Sequence, residues 1–266
     1  MKKPFIYIAA LRRTGSTLLS ELLSVSPQSF IFREPGVARG NLNVKQPEAD
    51  ELLKYGIDLP LLRQQFLTRS PQDQIAFFKH TLQSGPFASF SQVGIKEIRH
   101  SGWERLSQAF PDMRVILTGR DPRDLYLSLH AMALRRQQPG KKPLKLKGVR
   151  GAPVTPEHVA QDLLHEFQHQ LAMFEQLPCL LIKYETLCTQ PDDTIARIKK
   201  FIGHEALPSG RSGQYSWYNR QFYGDRITAA RVSAWQRETD SELVQAARQT
   251  FELMPAYCDF WEYESE

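Results

Sequence analysis

Apolar residues gather into five short runs along this chain, and after most of them the spacing lengthens from strand-like to helical. Phe5–Leu11, Ser29–Phe32, Gln92–Ile98, Arg114–Thr118 and Cys179–Tyr184 have the length, and mostly the Ile, Val and Phe content, of strands. Thr14–Leu23, Trp103–Phe110, the stretch from Pro122 onward, Thr155–Leu177 and the stretch from Pro191 to Phe201 carry apolar residues at helical spacing. Asp121 before Pro122 and Thr155 before Pro156 read as N-caps followed by proline in the first turn. Strands alternating with helices predict an α/β fold, a single domain whose mostly parallel central sheet is flanked by helices. A chain of 266 residues is long enough to bury one such core.

The alternation lapses between residues 36 and 84. Pro47–Tyr55, Leu59–Thr68 and Pro71–Gln83 are polar helical stretches punctuated by Gly56, Pro60 and Pro71, which predict a helical insertion over one sheet edge. Towards the C-terminus, Arg226–Trp235 and Ser241–Leu253 give two further helical patterns. The aromatic and basic stretch before them, with Tyr215, Trp217 and Arg220, has no clear period.

A net charge of +5 suits a polyanionic small ligand as well as a nucleic acid. The basic stretch Pro139–Pro153, with Lys141, Lys142, Lys145, Lys147 and Arg150, reads as a loop or flap; lacking interleaved aromatics, it makes a poor single-strand platform, and no nucleic-acid partner is expected. Cys179, Cys188 and Cys258 are too scattered for a disulfide framework, and no metal-ligand spacing accompanies His165 and His169. The first apolar run is far below the roughly 18 residues of a membrane span, and no cleavage-site pattern follows Met1–Pro4, so a cytoplasmic protein is expected.

Chemistry enters at two strand-to-helix junctions. Arg12-Arg13-Thr14-Gly15-Ser16-Thr17 sets guanidinium groups and hydroxyls where the first helical N–H groups lack partners, which makes an anion site. A Walker A loop would need Gly at Ala10 and Lys at Ser16, so nucleoside triphosphate chemistry is disfavoured. The second junction, Gly119-Arg120-Asp121-Pro122-Arg123, has Ser128 about two helical turns on, so that Arg120 and Ser128 converge on one anion. Glu34 follows the second strand directly, where open α/β sheets carry ligand-handling groups. Lys96 and His100 lie at the end of the third strand and just beyond it.

The two anion loops resemble the 5′-phosphosulfate and 3′-phosphate signatures of sulfotransferases that use 3′-phosphoadenosine 5′-phosphosulfate (PAPS), in the carbohydrate and bacterial form. Arg13, Gly15, Ser16 and Thr17 stand at positions of the first signature, Arg120 and Ser128 at those of the second. Lys183-Tyr184-Glu185 with the later Phe201-Ile202-Gly203 is similar to a further family segment. The resemblance implies a P-loop-like nucleotide-binding topology and sulfuryl transfer from PAPS to a hydroxyl-bearing carbohydrate or small-molecule acceptor, releasing adenosine 3′,5′-bisphosphate. It implies PAPS binding by Arg12, Arg13, Thr14, Gly15, Ser16, Thr17, Arg120, Ser128, Tyr184 and Arg226. It also implies Glu34 as general base and Arg13 and Lys96 as cations at the transferred group; His100, a titratable residue just beyond the third strand, is the reserve base. A small-molecule kinase and a non-catalytic adenylate- or glycan-binding module are the alternatives.

Overall fold

The computed structural model describes residues 4–146, 148–207 and 227–265. Five strands form one parallel sheet, β1 (Ile6–Ala10), β2 (Ser29–Arg33), β3 (Gln92–Glu97), β4 (Arg114–Gly119) and, after a short hairpin described below, β7 (Cys179–Lys183). Their spatial order is β2-β3-β1-β4-β7.

Parallel strands need both faces covered, which is why β1 is apolar at every position rather than alternating with polar residues. Period two instead sorts its side chains between two cores. Ile6 and Ile8 join Ile116, Ile182 and the Leu and Ile residues of helices α1 (Ser16–Leu23) and α9 (Pro191–Ile202). Tyr7 and Ala9 join the larger core on the opposite face, with Trp103, Leu163, Phe167 and Trp261. Gly94 sits where a Cβ would lie 2.5 Å from the Ile6 carbonyl, so the β1–β3 contact requires glycine.

The insertion is helical as the sequence predicts, with α2 (Gln46–Leu53), α3 (Leu59–Leu67) and α4 (Pro71–Gln83). It docks on edge strand β2 through aromatic contacts, Phe32 meeting Phe78 and Phe87 with ring centroids 5.9 Å apart. The basic stretch holds a two-residue hairpin, β5 (Lys145–Leu146) against β6 (Val149–Arg150). Helix α7 (Pro156–Gln176) is capped by Thr155 as predicted, and α6 (Pro122–Arg136) by Asp121.

Two sequence expectations need correction. Arg226–Trp235 is no helix over its described residues: Ala229–Arg231 and Ala234–Arg237 are separate 3₁₀ turns, split by Ser233 at φ 50°. Tyr184 opens helix α8 (Tyr184–Thr189) instead of ending a strand, because β7 stops at Lys183.

Candidate active site

Every strand of the sheet delivers a residue of interest at its carboxyl end, where open α/β sheets place ligands. From β1 the chain reaches α1 through a loop with two left-handed residues, Arg13 at φ 68° and Gly15 at φ 76°. A Cβ at Gly15 would also lie 2.6 Å from Tyr184 Cδ2, so glycine is required twice over. Thr14 points inward: its hydroxyl donates to the Leu11 carbonyl at 2.8 Å and meets the Thr118 hydroxyl at 2.6 Å, fastening the loop to β4. Gly15 provides no side-chain cap for α1, so the first helical N–H groups, with Ser16 and Thr17, are what the loop offers an anion.

The two anion junctions meet. Arg13 Nε donates to Ser128 Oγ at 2.9 Å, and Arg120 Nη1 donates to the Arg13 carbonyl at 3.2 Å. Arg120 is 5% exposed; its Nη2 donates to Asp124 Oδ2 at 3.3 Å and to the Arg231 carbonyl at 2.6 Å, while its guanidinium lies 4.2 Å from the centre of the Tyr184 ring. Burial pushes the Asp124 carboxyl up, against the opposing pull of Arg120 and the Trp235 N–H. Tyr257 fixes the Arg120 backbone, its hydroxyl accepting from Arg120 N and donating to Arg120 O, both at 2.9 Å. Arg120 Nε is buried without a hydrogen-bond partner among the described residues. The guanidinium is thus held on three sides with one N–H left without an acceptor among those residues.

The second cluster lies across β2 and β3. Glu34 takes a left-handed conformation, φ 58°, directly after β2. The turn is pinned on each side: Glu34 N donates to the Lys96 carbonyl at 2.6 Å, Gly36 N donates to Glu97 Oε1 at 2.5 Å, and Asn43 Nδ2 donates to the Glu34 carbonyl at 3.1 Å. Lys96, fully buried, donates to Glu34 Oε1 at 2.5 Å, while the Glu34 side chain remains 35% exposed. Burial alone would raise the Glu34 carboxyl, but Lys96, Lys45 and Arg12 together hold it below its ordinary value. Glu34 is therefore ionised at neutral pH, accessible and tethered.

The remaining predicted residues fall elsewhere. The Arg12 guanidinium turns from the anion loop, pairing with Asp162 at 3.4 Å and donating to the Lys145 carbonyl of the β5–β6 hairpin at 2.5 Å. His100 is displaced as reserve base: it is wholly buried, Nδ1 faces the Tyr7 hydroxyl at 3.0 Å and Nε2 the Ala10 carbonyl at 3.1 Å, and burial lowers its pKa to about 3. Both ring nitrogens are occupied within the core. Arg226, with Tyr215, Trp217 and Arg220, lies outside the described residues.

Sequence reasoning missed Lys45, Glu97, Asp124 and Tyr257. Asp124 was findable, four residues after Arg120 and in the first turn of α6. Glu97 directly follows Lys96, but its aim at Gly36 depends on β2–β3 pairing. Lys45 and Tyr257 reach the site through tertiary packing and carry no local signal.

A P-loop-like α/β fold whose strand-to-helix edge gathers two linked arginines beside a carboxylate–lysine pair is thus the class of molecule that this geometry defines. The chain belongs to the sulfotransferase family, whose model matches residues 4–208. In structure it is similar to the sulfotransferase domain from the curacin biosynthetic pathway, at 14% identity and a TM-score of 0.68 over all of both chains. It is also similar to the sulfotransferase domain of the Synechococcus PCC 7002 olefin synthase, at 16% identity and a TM-score of 0.53, and to a sulfotransferase from Alicyclobacillus acidocaldarius, at 14% and 0.53. Both of these likenesses cover all of this chain and 98% of the other. At such identities they speak for the fold alone. No curated protein matches the chain in sequence. Among the described residues, no helix is long and apolar enough to cross a membrane.

Proposed function

We propose that this protein transfers a sulfuryl group from PAPS to a hydroxyl of a carbohydrate or small-molecule acceptor. Family and fold support sulfuryl transfer. The observation that carries the choice of donor is the joining of the two anion junctions through Arg13, Ser128 and Arg120. A nucleotide with phosphoryl groups at both its 3′ and 5′ positions has the two anionic ends that such a paired cradle fits. The residues present suit it: the α1 N–H groups, Ser16, Thr17 and Arg13 at one end, Arg120 with its unpaired Nε and Ser128 at the other, and Tyr184 as an aromatic wall beside Gly15. Arg226 remains a further candidate for the 3′-phosphate.

PAPS supplies an activated sulfuryl group whose phosphate is a good leaving group. This chain supplies positioning and charge. Glu34, ionised and half open, takes the acceptor hydroxyl proton as the new oxygen–sulfur bond forms; the sulfur–oxygen bond to the 5′-phosphate breaks, its electron pair passing to the phosphate oxygen. Once Glu34 is protonated its attraction for Lys96 falls, and the ammonium is released to face the oxygens that gain charge. Arg13 serves the same purpose from the β1 loop.

The test is transfer of labelled sulfate from PAPS to a panel of alcohols, together with calorimetric binding of adenosine 3′,5′-bisphosphate and of ATP. Binding of the bisphosphate in preference to ATP, with label transferred, is the expected result. A preference for ATP would favour a phosphoryl donor instead, and bisphosphate binding with no transfer to any alcohol would favour a binding module.

A further inference from the structure

Around Glu34 most cations of the described residues are held in ion pairs. Arg12 meets Asp162 at 3.4 Å, Arg33 meets Glu48 at 2.9 Å, Arg39 meets Glu97 at 3.1 Å, Lys96 meets Glu34 at 2.5 Å and Arg99 meets Glu166 at 2.9 Å. Lys45 faces the same centre and has no carboxylate within ion-pair distance among the described residues. Its nearest carboxylates hold other cations directly: Glu34 Oε1 accepts from Lys96, and Glu48 Oε1 accepts from both Arg33 N and Arg33 Nε at 2.9 Å, while Glu48 Oε2 is buried without a hydrogen-bond partner among the described residues.

Lys45 is nevertheless held in place. It stands just before α2, its carbonyl accepting from Glu48 N and Ala49 N at 3.0 Å, and Glu48 ties that helix to the end of β2. Two residues earlier, Asn43 N donates to the Pro35 carbonyl at 2.7 Å and Asn43 Nδ2 to the Glu34 carbonyl. The segment is thus folded over the Glu34 turn, at the β2 edge of the sheet. The donor cradle occupies the other side, on β1, β4 and β7. Lys45 is half-buried; burial lowers its pKa against the attraction of Glu34 and Glu48, and Lys96 adds repulsion. Withdrawing an ammonium group from water without a direct ion pair is costly, and the cost is further relieved when a ligand brings an anion into contact.

We infer that the acceptor is an alcohol which itself carries an acidic group, and that Lys45 receives that group beside Glu34. The inference rests on the proposed sulfuryl transfer and adds the acceptor's chemical class. The β5–β6 hairpin extends the positive field at this end: Lys145 and Arg150 are exposed on it, and its Lys145 carbonyl is anchored by Arg12.

Matched acceptors test it. 2-Phenylethanol is compared with 4-(2-hydroxyethyl)benzoate, and methyl glucoside with methyl glucuronide, with PAPS as donor at low and raised salt. The acidic member of each pair is expected to have the higher kcat/KM by about tenfold or more, an advantage that shrinks with salt. Lys45→Met should bring the ratio towards one through the KM of the acidic member, and Lys45→Arg should keep most of it. Equal kcat/KM within both pairs, or an equal loss for both members in Lys45→Met, would overturn the inference. If neither pair is sulfated, the same comparison is made as equilibrium binding to protein saturated with adenosine 3′,5′-bisphosphate, where equal affinities overturn it as well. Failure of the underlying reading looks different: the bisphosphate would not bind and no alcohol would be sulfated.

Discussion

The two halves of the sheet's carboxyl edge hold their charges in opposite ways. On the β1–β4–β7 side the two arginines are fastened mostly to neutral partners: Arg13 to a hydroxyl, and Arg120 to two backbone carbonyls and an aromatic face, with Asp124 as a carboxylate contact at 3.3 Å. On the β2–β3 side they are fastened to one another, Glu34 to Lys96 and Glu97 to Arg39. A guanidinium held largely by neutral groups keeps more of its charge available to a ligand than one closed in a full ion pair. A carboxylate held by an ammonium gives up part of that bond when it takes a proton. The first arrangement suits gripping one constant molecule, the second suits a step in which charge moves.

Substitutions that separate gripping from proton movement put this contrast at risk. The largest effect is expected from Glu34→Gln, which should lower turnover by about 10² or more while leaving affinity for adenosine 3′,5′-bisphosphate intact. Calorimetry beside initial rates reads both, and loss of affinity in that variant would erase the division. Arg120→Ala should weaken bisphosphate binding by about 1.5 to 3 kcal/mol; unchanged affinity would remove Arg120 from the cradle. Gly15→Ala meets both the positive φ and the Tyr184 ring, and should cost about 1 to 2 kcal/mol of stability, read as a lowered melting temperature with weakened bisphosphate binding. A normal melting curve would mean that the loop and Tyr184 move apart freely.

The smallest expected effect is a displacement of pH dependence. Because Lys96, Lys45 and Arg12 depress the Glu34 carboxyl, activity should persist as pH falls to its ordinary value of 4.5 and fail only below it. Lys96→Met removes the largest of those opposing influences and leaves burial, which raises the carboxyl, so the acid limb of residual activity should move to higher pH. An acid limb that stays in place would detach Glu34 from the proton transfer.

The same division explains what could be read from the sequence. The donor half was legible because each of its groups lies within a few residues of a strand-to-helix junction: Arg13 and Gly15 after β1, Arg120 and Ser128 around the start of α6, Tyr184 after β7. Local chemistry and spacing marked the Arg13 and Arg120 junctions as candidate anion sites, while Tyr184 was named through the family resemblance. Glu34 and Lys96 were visible singly, as polar residues closing apolar runs, but their pairing depends on the neighbouring places of β2 and β3. Lys45 was invisible for a stronger reason, since only the folding of the 41–45 segment over the Glu34 turn brings it near. His100 misled for the converse reason: titratable and four residues after a candidate lysine, it is drawn into the core by Tyr7 and the Ala10 carbonyl.

Arg120 also joins parts of the polypeptide that are far apart in sequence. Its side chain reaches Arg13 near the start and Arg231 near the end, its backbone is clasped by Tyr257, and Asp124 beneath it accepts from Trp235 N at 3.1 Å. Three of those partners lie beyond residue 208, where the family match stops. A chain cut after the matched region would keep both signature loops and lose the clasp around the arginine between them. Nucleotide docking should therefore slow proteolysis near the C-terminus, although no residue there belongs to either loop.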